Sequence, residues 1–173
     1  MIPSSLTEVF QWKERLLKEL EDSVQERTEE QLATNPGPGR WSIAQILEHV
    51  SLVDARLVRM IEVYLQKANP LKGGPVMIGM PQVMLDAAYQ KLPARPDAIP
   101  TGKIKAAESL ARLKTLDGTF QSMRTRMLNA DLTSVSVPHP FFGPLTLDQW
   151  ALFLCFHEER HLRQMMAINA ELF

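Results

Sequence analysis

The chain of 173 residues is short of cysteine, of histidine, of surplus positive charge and of long apolar runs, and each scarcity closes off a class of protein. A single cysteine, Cys155, excludes an internal disulfide. No apolar stretch approaches the roughly 20 residues that a helix needs to cross a bilayer. Met1-Ile2-Pro3-Ser4-Ser5-Leu6 has no basic region ahead of an apolar one, so a soluble, cytoplasmic protein is expected. With 19 Lys and Arg against 20 Asp and Glu the net charge is −1, which leaves no basic field for nucleic acid. There is no internal repeat, no low-complexity tract and no strand signal longer than 134–137. What is present is a composition 45% hydrophobic and 23% charged, enough for one sizeable core, so residues 1–173 read as one domain.

The apolar residues recur at helical spacing. Leu6, Val9, Phe10, Lys13, Leu16, Leu17, Leu20 and Val24 mark a first helix over about Ser5 to Ala33, which Asn35-Pro36-Gly37-Pro38-Gly39 stops. Ser42 and Gln45 form a capping box that opens a second helix, from Trp41 or Ser42 to about Ala68. Prolines and glycines punctuate the stretch from Asn69 to Lys103, leaving room for one or two helical turns near Gln82 to Tyr89. Connections of that length are uncommon in compact domains. This one reads as a crossover that lets helices two and three run parallel, and either as a lid over a site or as a plain surface loop. A third helix is expected from Ile104 to Asn129, interrupted at Asp117-Gly118, and a fourth from Leu147 to Ala170, opened by Thr146 and Gln149. The fold class is therefore all-α, a four-helix bundle with a long crossover between helices two and three.

The fourth helix carries His157-Glu158-Glu159-Arg160-His161. Side chains four apart share a helix face, so both imidazoles point at one spot. The stretch also spells H-E-x-x-H, in which two histidines bind zinc and the glutamate is the general base. A catalytic zinc needs a third protein ligand, which the zinc proteases find further along the chain. Leu162 to Phe173 offer no histidine and only Glu171 as an acid, so the third ligand is expected upstream. His49 is the candidate: Ile46, Val50, Val53 and Leu57 share its face of helix two. A lone histidine on an apolar face is more often a satisfied core residue than a ligand. A pair at i, i+4 joined by a third inward histidine points to a shared metal, because buried imidazoles need partners.

Trp41-Ser42-Ile43-Ala44-Gln45-Ile46-Leu47-Glu48-His49, Pro138-His139-Pro140-Phe141-Phe142-Gly143-Pro144-Leu145-Thr146, and His157, His161 and Gln164 together resemble the DinB/YfiT-like family of metalloenzymes. The resemblance spans most of the chain. It implies a four-helix bundle with a three-histidine site for nickel or zinc at one end of the core, here His49, His157 and His161. It also implies thiol-dependent transferases or isomerases that use low-molecular-weight thiols.

Other residues carry two readings each. Gln164, on the ligand face, either hydrogen-bonds a histidine or the metal-bound water, or closes a polar gap in the core. Gln45 could play the same part unless capping occupies it. Glu158, about 100° around the helix from His157, either reaches the site edge as a base or is a solvated acid pairing with Arg163. His139, between two prolines, is a turn residue or a substrate contact. Cys155, about 200° from His157, reads as a small buried hydrophobe turned away from any metal.

Neutral imidazoles suit zinc, nickel, iron or copper, and the resemblance puts zinc or nickel first. Three functions follow: a metal-activated thiol attacking an electrophile, a metal-bound hydroxide acting as a hydrolase, or a non-catalytic metal-binding stress-response protein. The expected partners are a small-molecule substrate, a low-molecular-weight thiol and a second copy of the chain as a homodimer.

Overall fold

The computed structural model describes residues 3–74, 79 and 93–173. Four long helices build the body: α1 (Leu6–Asp22), α3 (Ile43–Leu65), α4 (Ala106–Ser122) and α6 (Leu147–Leu172). The short helices α2 (Glu29–Ala33) and α5 (Arg124–Leu128) trail α1 and α4. Both α1 and α3 pack against α4 and α6, so α1 and α3 occupy opposite corners of a four-helix bundle. Among the described residues no helix is long and apolar enough to cross a membrane.

Local chemistry sets the helix ends. The Ser42 hydroxyl accepts the Gln45 N–H while Gln45 Oε1 accepts the Ser42 N–H, the reciprocal box expected from the sequence. Gln149 Oε1 accepts the Thr146 N–H in the same way at the start of α6. Lys105, which precedes α4, makes no side-chain cap. Glu29 of α2 serves instead, its carboxylate accepting the N–H groups of Ala106 and Ala107 at 2.9 and 2.8 Å.

The expected first helix to Ala33 ends early. Thr28 and Gln31 form a capping box of their own, and the Ser23 hydroxyl turns back to the Leu20 carbonyl, so local side-chain bonds displace the helix between α1 and α2. The third helix breaks at Met123 rather than at Asp117-Gly118. Gly118 stays helical, and Asp117 is held from inside the bundle by Lys13.

The crossover expectation can be followed at both ends. Asn69–Pro70 (β1), just after α3, pairs antiparallel with Ala130–Asp131 (β2), just after α5. On the approach to α4, the N–H groups of Thr101 and Gly102 and the Thr101 hydroxyl donate to Glu48, in the second turn of α3. The starts of α3 and α4 thus lie together and their ends lie together, so these neighbours run parallel. The turns expected at Gln82 to Tyr89 fall outside the described residues.

A hairpin replaces the turn expected before the last helix. Ser136–His139 (β3) pairs with Gly143–Thr146 (β4), in the register Ser136↔Thr146 to His139↔Gly143. Pro138, Pro140 and Pro144 argue against a strand, but in a two-stranded ribbon both strands are edges and tolerate missing donors. Gly143, at φ 72°, supplies the left-handed residue that closes it. The Trp150 indole N–H donates to the Val137 carbonyl at 3.1 Å and pins the hairpin to α6.

Candidate metal centre

Two turns into α3, His49 is 4% exposed and faces α6, where His157 and His161 lie one turn apart. One ring nitrogen from each imidazole lies within 4.8 Å of the others. The ring centroids are 4.6 to 5.2 Å apart. The structure therefore brings together the three histidines singled out in the sequence.

Hydrogen bonds fix the tautomers. His49 Nδ1 lies 2.6 Å from the carbonyl oxygen of Ala98, which can only accept, so the proton sits on Nδ1 and Nε2 keeps its lone pair. Ala98 belongs to a short 3₁₀ helix, Pro96–Ala98, that leads towards α4. His161 Nδ1 donates to Gln164 Oε1 at 3.0 Å, which frees its Nε2 likewise. Gln164 thus takes up the histidine-bonding role open to it in the sequence. The Nε2 atoms of His49 and His157 are 3.2 Å apart, and His157 Nδ1 is buried without a partner.

Burial chiefly determines their protonation. It depresses the pKa of all three, most in His157, where the neighbouring His161 and His49 add to it. His161 falls to about 3, through burial and then the proximity of His49. The trio is neutral at physiological pH, with lone pairs available. Two nitrogens on a tetrahedral ion with bonds of about 2.0–2.1 Å would lie about 3.3 Å apart, close to the observed Nε2 separation. The donor set fits a borderline transition metal.

The histidines line a cavity of about 1050 Å³. Its apolar wall includes Trp41, Met60, Phe142, Trp150 and Phe153, and Trp41 packs on the His49 ring at 4.9 Å. His139 belongs to this wall, stacked on Phe142 at 4.2 Å. Its Nδ1 accepts the N–H groups of Phe141 and Phe142, so the Nε2 carries the proton, and burial holds its pKa down at about 4. It sits at the hairpin turn, as one of its two sequence readings has it, with its ring against the cavity.

Other candidates lie elsewhere. Gln45 is engaged by Ser42 and makes no bond to a histidine. Glu158 is fully buried and bonded to the Lys13 ammonium at 2.8 Å. It is neither a solvated acid nor a partner of Arg163, which pairs with Glu159. Cys155 is buried beside the Val9 carbonyl, and burial raises its thiol pKa well above the ordinary value. Lys13, placed among the inward residues of α1 from the sequence, anchors a cluster with Glu158, Asp54 and Asp117. A lysine on an apolar stripe was the available signal for that cluster.

A sequence model described as the DinB superfamily matches residues 13–165. The chain belongs to the DinB superfamily. Among its relatives, the uncharacterized protein YuaE of Bacillus subtilis (strain 168) is 26% identical over 147 residues, which cover 84% of this chain and 87% of YuaE. Two solved structures share the DinB member's fold. YfiT from Bacillus subtilis, described as a probable metal-dependent hydrolase with an unusual four-helix bundle topology, superposes with a TM-score of 0.66 at 18% identity, covering 95% of this chain and 85% of YfiT. TT2238, a four-helix bundle protein, gives a TM-score of 0.62 at 20% identity, covering 94% of this chain and 98% of its own.

Proposed function

We propose that this DinB protein is a metal-dependent enzyme in which His49, His157 and His161 hold one divalent transition ion, zinc or nickel first, at the wall of a small-molecule cavity. The observation that carries the reading is the convergence of three neutral imidazoles, two with tautomers set by Ala98 and Gln164, on a cavity of organic-substrate size. Such an ion lowers the pKa of a bound water or thiol towards neutrality and so supplies a nucleophile.

The finer reading is S-transfer from a small thiol. Among the described residues lining the cavity there is no Asp or Glu. The glutamate that would serve an H-E-x-x-H protease as base is committed to Lys13. Bound to the same ion, a thiol starts from a pKa of ~8.5 and water from ~15.7, so the thiol is the more readily ionised without a protein base. The thiol sulfur would then give its lone pair to an electrophilic carbon, and the leaving group would depart with the electrons of the bond it breaks. Hydrolysis is the second reading, supported by the description of YfiT.

The test begins with metal analysis of protein purified without chelator, where close to one ion per chain is expected. His157→Ala should lose most of it while keeping its helical circular dichroism. Full metal content with unchanged affinity in that variant would overturn the site. The loaded enzyme is then offered electrophilic substrates with and without small thiols. A thiol-containing product marks the transferase, a hydrolysed product formed without thiol marks the hydrolase, and neither product marks a protein that only binds metal.

A further inference from the structure

Five arginines line the cavity, and four have a carboxylate partner. Arg40 pairs with Glu171, Arg56 and Arg95 with Asp97, and Arg163 with Glu159. Arg160 has no such partner among the described residues, although it lies between the two α6 histidines in sequence and is half-buried. It lines the same cavity as His49, His157 and His161 and directly precedes His161 on α6. Leaving a cation partly desolvated and unpaired is costly, and no acid in the described lining relieves it. Much of the remaining lining is aromatic and aliphatic. A guanidinium fork binds carboxylate, phosphate or sulfonate oxygens in a bidentate manner.

We propose that the site takes an anionic molecule with an apolar, ring-sized body, and that Arg160 receives its anionic group. This rests on the cavity being the substrate site of the preceding reading, but not on the metal. Arg160 would hold the head beside the histidines while the body lies against Phe142, Trp150 and Phe153. Its role is to select and orient the substrate.

Two fluorescent probes that differ only in charge test this: anilinonaphthalene sulfonate and phenylnaphthylamine, the same ring system without the sulfonate. Sulfonate is also a poor metal ligand, so titrations of metal-loaded and chelator-treated protein should agree. Arg160→Gln should weaken the sulfonate about tenfold or more, as expected for the loss of a charged hydrogen bond, and shift the neutral probe by less than about twofold. Arg15→Gln, on the exposed face of α1 and outside the cavity, should change neither. Arg160→Lys keeps the charge but loses the fork, so a severalfold loss confined to the sulfonate is expected, and this variant carries the test if Arg160→Gln does not fold. Equal changes for both probes, or none, would overturn the proposal. Charge selectivity in a protein that binds no metal would remove the metal reading alone. Metal binding without charge selectivity would remove this one alone.

Discussion

His157 and Glu158 are neighbours on α6, yet they belong to opposite kinds of buried polar cluster. Glu158 turns to the bundle axis, where Lys13 meets it at 2.8 Å with Asp117 at 3.6 Å and Asp54 at 3.8 Å. Burial lowers the Lys13 pKa, but Glu158, Asp54 and Asp117 together outweigh it and the net shift is upward. Burial and then Glu158 push Asp54 well above the usual carboxylate range, so it stays protonated and can donate to Glu158. Among the described residues its three acids share one internal cation. The histidine cluster has the reverse character: neutral, with lone pairs converging on a cavity that is also lined by an arginine with no acidic partner among the described residues. A buried charge paired within its own chain serves the fold. One left unsatisfied at a cavity wall awaits a ligand.

The largest expected effect lies in the self-contained cluster. Lys13→Met removes the one cation that meets three acids among the described residues and should cost about 3–5 kcal/mol of stability by urea unfolding. The metal bound per folded chain should not change.

Glu158→Gln sharpens the contrast with its neighbour. Asp54 can ionise in its place and keep Lys13 paired, so a loss of about 1–3 kcal/mol is expected, with metal retained and at most a modest activity defect. An inactive, metal-loaded Glu158→Gln protein, beside a folded His49→Ala protein that binds metal normally, would restore the protease reading.

Gln164→Ala probes the link between the trio and its support. Freed of its acceptor, His161 loses its preset tautomer, and metal affinity should drop about tenfold with little change in melting temperature. An unchanged affinity in a competition titration with a chromophoric chelator would reduce Gln164 to a filler of the core.

The smallest effect concerns acid. His139 has a folded pKa of about 4 against an unfolded value near ~6.5. Its folded value is depressed, so below pH ~6.5 the unfolded chain binds protons that the native one refuses, and stability falls with pH until about pH 4. The slope per such histidine is at most about 1.4 kcal/mol per pH unit. Urea midpoints of metal-free protein at pH 7 and 5 should show it, and His139→Gln should make it shallower.

The histidine trio was legible in the sequence because two of its members stand one helical turn apart and the third sits on an apolar stripe between capping signals. The roles of Glu158 and Arg160 were not. Rotation around a helix says that Glu158 leaves the His157 face, but not that Lys13, from a helix 145 residues away in sequence, waits there. Arg160 is conspicuous only when the partners of the other four arginines are known, and these come from the crossover and from α6 itself. The breaks after Asp22 and at Met123 were hidden for another reason: apolar periodicity continues across them, and short-range hydroxyl and carboxamide bonds decide the local backbone. The hairpin was masked by its prolines.

The arm from Ala98 to Gly102 grips two consecutive residues of α3. Its Ala98 carbonyl holds the His49 proton, and its Thr101 and Gly102 groups hold Glu48. If His49 ligates an ion, the strength of that ligation and the closure of the arm become reciprocal expressions of one coupling free energy. Binding at the centre would tighten the chain's approach to α4, and any change that pries the arm loose would be felt as weaker affinity at a distance from every ligand.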